Sequence, residues 1–86
     1  MRTPRQHRID RAVARALAAI GEFMLQEDLL IDEASLRIAA PRATQAEIEE
    51  SIRHHDSSGH LIGVATETGT KWKLSDSGRA WWAENQ

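Results

Sequence analysis

Apolar residues at Ile9, Val13, Ala16, Leu17, Ile20, Phe23 and Met24 recur at helical spacing. They predict about four turns of amphipathic helix with one face for a core. The many alanines favour that helix intrinsically, and Gly21 inside it is a local cost that eases close packing. Residues 1–6, with Pro4 and two arginines, read as a flexible basic arm with no reason to pack. Leu29-Leu30-Ile31 is a short apolar run that suits an extended segment pairing with a later hairpin. Asp32 is a good N-cap, with Glu33 in the first turn, for a helix carrying Leu36, Ala39 and Ala40 on its apolar side. Pro41 ends it, because proline disfavours helical geometry in the residue before it.

After the turn Pro41-Arg42-Ala43, the run Thr44-Gln45-Ala46-Glu47 has the form of a capping box. It opens a helix over 44–57 that buries Ile48 and Ile52 at i, i+4, with His55 continuing the stripe, and Gly59 is the stop. Leu61 to Thr66 is compatible with a strand, and Glu67 to Thr70 is a turn centred on Thr68-Gly69. Lys71-Trp72-Lys73-Leu74 alternates as a half-buried strand should. Ser75 or Asp76 then caps a short last helix bearing Trp81 and Trp82. Two adjacent tryptophans on a helix cannot both face inward, which suggests a homodimer through the first helix and the Trp81-Trp82 end.

This order resembles the winged helix-turn-helix superfamily. Leu30-Ile31 stands for the first strand, 32–40 for the supporting helix and 44–57 for the recognition helix. Gly59 to Leu61 looks like the usual glycine and apolar lead-in to the wing. Leu74-Ser75-Asp76-Ser77-Gly78-Arg79 looks like the Leu-Thr-x-x-Gly-Arg exit of many bacterial transcription regulators. The resemblance implies an α+β fold: a three-helix core, a β-hairpin wing and a short C-terminal helix. It also implies a small DNA-binding transcription regulator, with helix 44–57 in the major groove and wing 66–74 on the backbone. Two residues depart from the pattern. His55 replaces the leucine usually packed under the wing, and the recognition helix carries three glutamates with Arg53 as its one permanent cation. The acidic helix favours a second reading, a winged-helix protein-interaction module that does not read DNA. A third is a subunit of a larger nucleoprotein complex, reached through the arginines of the first helix.

Composition narrows the picture modestly. With 86 residues there is room for one domain, 7–86, behind the arm. The absence of cysteine removes disulfides, thiolate metal sites and cysteine nucleophiles and favours the cytoplasm. No apolar run reaches the ~20 residues of a membrane span, and the N-terminus lacks the apolar stretch of a signal peptide. The net charge of −2 gives no bulk attraction for phosphate, so local patches decide.

The patches nominate specific residues. With Ile48 and Ile52 inward, Ala43, Ala46, Glu50 and Arg53 turn outward. Ala46 permits close approach to a thymine methyl, Glu50 accepts from a cytosine amino group, and Arg53 reaches guanine or phosphate. Arg42, Thr44 and Gln45 lie at a helix start, where backbone amides receive a phosphate. Lys71 and Lys73, on the strand face opposite Trp72, and the tip residues Thr68 and Thr70 are candidates for backbone contact. Lysine on an edge strand also serves simply to block aggregation. Arg8, Arg11 and Arg15 share a helix face as a secondary basic site, and Arg2 and Arg5 suit a minor groove. His54, His55, Asp56 and His60 match no zinc spacing, so His55 reads as a core histidine with one hydrogen-bond partner. No catalytic set, metal site or cofactor motif is present in the sequence, which is read as that of a non-enzyme.

Overall fold

The computed structural model describes residues 1–31 and 43–86. The first helix, α1 (Pro4–Ile20), begins almost at the chain start because Thr3 and Gln6 cap it reciprocally. Gln6 N–H donates to the Thr3 hydroxyl at 3.1 Å and Thr3 N–H donates to the Gln6 carbonyl at 2.9 Å. Pro4 occupies the first helical position, where its missing N–H costs nothing. The expected flexible arm is therefore the capped first turn of a helix. At the other end Gly21 takes φ +70° and donates to the Leu17 carbonyl. Gly21 is a left-handed stop, so Phe23 and Met24 lie beyond the helix.

That earlier stop moves the first strand. Strand β1 is Met24–Leu25, and Gln26–Ile31 forms α2, with Glu27 and Asp28 in a first turn where the helix dipole favours them. Leu29 to Ile31 is thus helical and not the expected strand. The helix expected over 32–40, its cap Asp32, the stop at Pro41 and the candidate Arg42 lie outside the described residues.

Helix α3 (Gln45–Ser57) has the expected capping box between Thr44 and Glu47. It closes on Gly59, at φ +78°, with Gly59 N–H on the Asp56 carbonyl and His60 N–H on the His55 carbonyl. These two bonds form a Schellman ending. Strands β2 (Leu61–Thr66) and β3 (Gly69–Leu74) make a hairpin. Thr66 pairs with Gly69, so the tip is Glu67-Thr68, one residue earlier than expected. β3 is central in an antiparallel sheet of order β1-β3-β2. The last helix, α4 (Asp76–Asn85), is capped by Ser75, which accepts from Gly78 N–H.

The described fold is α+β. Its core joins Ile9, Val13 and Leu17 of α1 to Leu29, to Ile48 and Ile52 of α3, and to Leu61 and Leu74 of the hairpin. Helix α1 touches α3, α4 and β3 and is the central element. Trp81 and Trp82 both pack against this core and are half-buried. One domain thus gives both tryptophans partial cover. Among the described residues no helix is long and apolar enough to cross a membrane.

Candidate nucleic-acid interface

Two of the four carboxylates of α3, Glu47 and Glu50, are paired from within the chain. Arg5 meets Glu47 through two contacts, Nε–Oε2 at 2.6 Å and Nη2–Oε1 at 3.0 Å. Arg2 meets Glu50 at 2.8 Å and also clasps the buried Asp10 carboxylate, Nε to Oδ2 at 2.9 Å and Nη2 to Oδ1 at 2.7 Å. The Arg5 hydrogen bonds, reinforced by Thr44 N–H, hold Glu47 down to a pKa of about 2. Arg2 lowers Glu50 in the same way. Arg2 and Arg5 are raised in turn by their carboxylate partners. Neither arginine is the minor-groove arm expected, and Glu50 is engaged by Arg2 and is not a free acceptor for a base. The pattern Thr3-Pro4-Arg5-Gln6 carried the missed signal: it is a capping box that starts the helix early enough to aim both arginines at α3.

The remaining exposed positions of α3 are Gln45, Ala46, Arg53, Asp56 and Ser57, with Glu49 half-buried, as is Ala43 just before the helix. Thr44 is committed to its cap. On the hairpin the register sorts the candidates by face. Lys71 and Lys73 pair with Val64 and Ile62, so all four share one face. Thr70 pairs with Ala65 and falls on the other face, where it lines a cleft with Gln26 and Leu30. Thr70 and the two lysines therefore cannot meet one DNA backbone from the same side. Thr68 is exposed at the tip. Both lysines are half-buried, and the Lys73 ammonium lies 5.8 Å from the Phe23 ring centre. Ile62 and Val64 beside them are 46% and 44% exposed, which makes this face partly apolar.

The arginine face of α1 also divides. Arg8 and Arg15 are exposed, but Arg11 is half-buried and its Nε is enclosed without a hydrogen-bond partner. Beneath α3 lies a buried polar group. Ser51 donates to Asp10 at 2.7 Å, and the His55 ring, fully buried as its register predicts, meets the Asp10 carbonyl through Nε2 at 2.9 Å. His55 has a second partner that spacing did not reveal, His60, at 2.9 Å between the two Nδ1 atoms. Among the described residues no group of three or more His, Asp or Glu side chains is placed to hold a metal ion.

Comparison with known proteins leaves the geometry to stand alone: no family model, no curated protein and no solved structure matches this chain.

Proposed function

We propose that this chain is a small double-stranded-DNA-binding regulator of the winged helix-turn-helix type, cytoplasmic and dimeric. It would place α3 in the major groove and the β2–β3 hairpin on a neighbouring backbone. One observation carries the reading. Two of the three glutamates of α3, Glu47 and Glu50, are paired with Arg5 and Arg2. That pairing offsets part of the repulsion an acidic recognition helix would meet and leaves Gln45, Ala46 and Arg53 exposed ahead of its last turn, where Asp56 and Ser57 are exposed as well. Element order supports the reading too, since α3 leads through Gly59 directly into an antiparallel hairpin and α4 follows it.

Base recognition in this scheme rests on Gln45 and Arg53, with Ala46 allowing close approach. Thr68, Lys71 and Lys73 contact phosphate, and Arg8 and Arg15 add a secondary basic site. The test is binding to random and selected duplexes across a salt series. Replacing Lys71 and Lys73 by Ala is expected to weaken binding to every duplex and to reduce the salt slope by about one unit per lost contact. Replacing Arg53 by Ala is expected to relax preference at one base pair, at about 1–3 kcal/mol.

A second reading, a protein-interaction module, is favoured by the outer sheet face, where Ile62 and Val64 are exposed beside the lysines. Under that reading Ile62→Glu abolishes partner capture, and the wild-type chain binds no duplex at low salt.

A further inference from the structure

All four histidines of the chain gather at one junction of α1, α3 and α4. Trp81 of α4 stands edge-on to His55 with ring centres 4.9 Å apart, and also meets His60 at 5.5 Å and His7 at 5.9 Å. His54 lies 6.1 Å from His55. The protons of the central pair can be placed from their partners. A carbonyl only accepts, so His55 Nε2, facing the Asp10 carbonyl, carries a proton. Neutral His55 then has a bare Nδ1, which accepts from Nδ1–H of His60. His60 is only half-buried and can take a proton on its other nitrogen without disturbing this bond. Once His60 is cationic, a further proton on His55 has no place, because it sets two N–H donors face to face at 2.9 Å.

Of the charges around the pair, Asp10 favours the cationic form of both imidazoles, but less than burial disfavours it. From α1 come Asp10, already engaged by Arg2 and Ser51, and His7. From α3 come His54, which opposes a charge on either imidazole, and Glu50, which is tied to Arg2. From α4 the group that meets the imidazoles is Trp81, and the charged Asp76 and Arg79 pair with each other. Meanwhile α4 is fastened to this spot. Ser75 N–H donates to the His60 carbonyl at 2.9 Å and the Ser75 hydroxyl to the Gly59 carbonyl at 2.6 Å. Gly78 sits so close that an added Cβ would lie 2.1 Å from the His60 carbonyl oxygen.

We propose that this cluster is an acid-operated latch on the C-terminal helix: α4 is held while His55 is neutral, and when both His55 and His60 become cationic, His55 leaves its place and Trp81 is released with α4 from α1 and α3. Burial pushes both imidazoles below their ordinary range, mainly through desolvation. The sign follows: docking is at full strength above the free-histidine value of about 6.5 and weakens as pH falls below it, by up to about tenfold per pH unit for each proton taken up. Glu47 and Glu50 are held low by their arginines and stay charged across this window, so the α1–α3 contact persists.

Amide hydrogen exchange tests the latch on the full chain without DNA, and so independently of the function proposed above. Corrected for intrinsic chemistry, protection over 76–85 is expected to fall at least about tenfold from about pH 7 to about pH 5, while Val13 and Leu17 in α1 keep theirs. In His55→Leu, which leaves the half-buried His60 alone to take up a proton, that fall should shrink to a small part of the wild-type one. Unchanged protection of α4, simultaneous loss in α1 and α4, or an undiminished fall in H55L each overturns the proposal. Should H55L fail to fold, ring-nitrogen NMR of the wild type decides. His55 protonated only on Nε2 at neutral pH, and cationic only in the species with α4 released, agrees. A cationic His55 still packed against Trp81 overturns it.

Discussion

Asp10 is almost fully enclosed, and its carboxylate has three ties: two nitrogens of Arg2 and the Ser51 hydroxyl. Removing a partner from a buried charge costs far more than an exposed pair is worth, because the charge left behind is desolvated. Arg2→Ala is therefore expected to destabilise the fold by about 2–3 kcal/mol in urea denaturation. A loss within ~0.5 kcal/mol, as for an ordinary surface change, would mean that the first residues do not pack as described. His55 gives a second test. Its lowered pKa means that the folded state binds fewer protons, so stability should decline as pH drops below about 6.5, with a separate loss at lower pH when Glu47 and Glu50 are protonated. An NMR titration that finds His55 raised instead would contradict this account. At this scale the burial of His55 was legible from its position after Ile48 and Ile52. Its tie to His60 was not, because that contact depends on how the chain turns at Gly59.

Among the elements, those with explicit end signals were legible. Thr44 and Glu47 fix the start of α3, Gly59 its end, and the alternation through Trp72 fixes β3. The first strand was misplaced because Phe23-Met24-Leu25 and Leu29-Leu30-Ile31 are equally apolar, and the choice hangs on whether Gly21 lies inside a helix or ends it. Its φ of +70° settles that. The arginines were read as an arm because ion pairs across elements leave no periodic trace. The seating of α4 makes a prediction of its own. Gly78→Ala drives a Cβ into the His60 carbonyl, so α4 must shift outward at a cost of about 2–3 kcal/mol, read as a lower melting temperature and a more exposed Trp81 fluorescence. A variant as stable as wild type, with unchanged emission, would show that α4 is not seated on the Gly59-His60 turn.

For the whole molecule, the dimer argument changes its footing. Trp81 and Trp82 are each half-covered within one chain, so neither demands a partner. Ile20 at the end of α1 and Phe23 just beyond it, 48% and 40% exposed, are the better candidates for an interface. Sedimentation at micromolar concentration is expected to give a dimer that Ile20→Glu with Phe23→Glu converts to the 9.6 kDa monomer. A wild-type monomer would reject the dimer. The central claim is that α3, with Glu47 and Glu50 paired by Arg5 and Arg2, lies against duplex DNA. The most direct measurement is amide chemical-shift mapping of the full chain titrated with a random-sequence duplex at low salt. The account predicts shifts centred on Gln45, Ala46 and Arg53 and on Thr68 and Lys71, fading as salt rises. No shifts with any duplex, or shifts that leave α3 untouched, would contradict it.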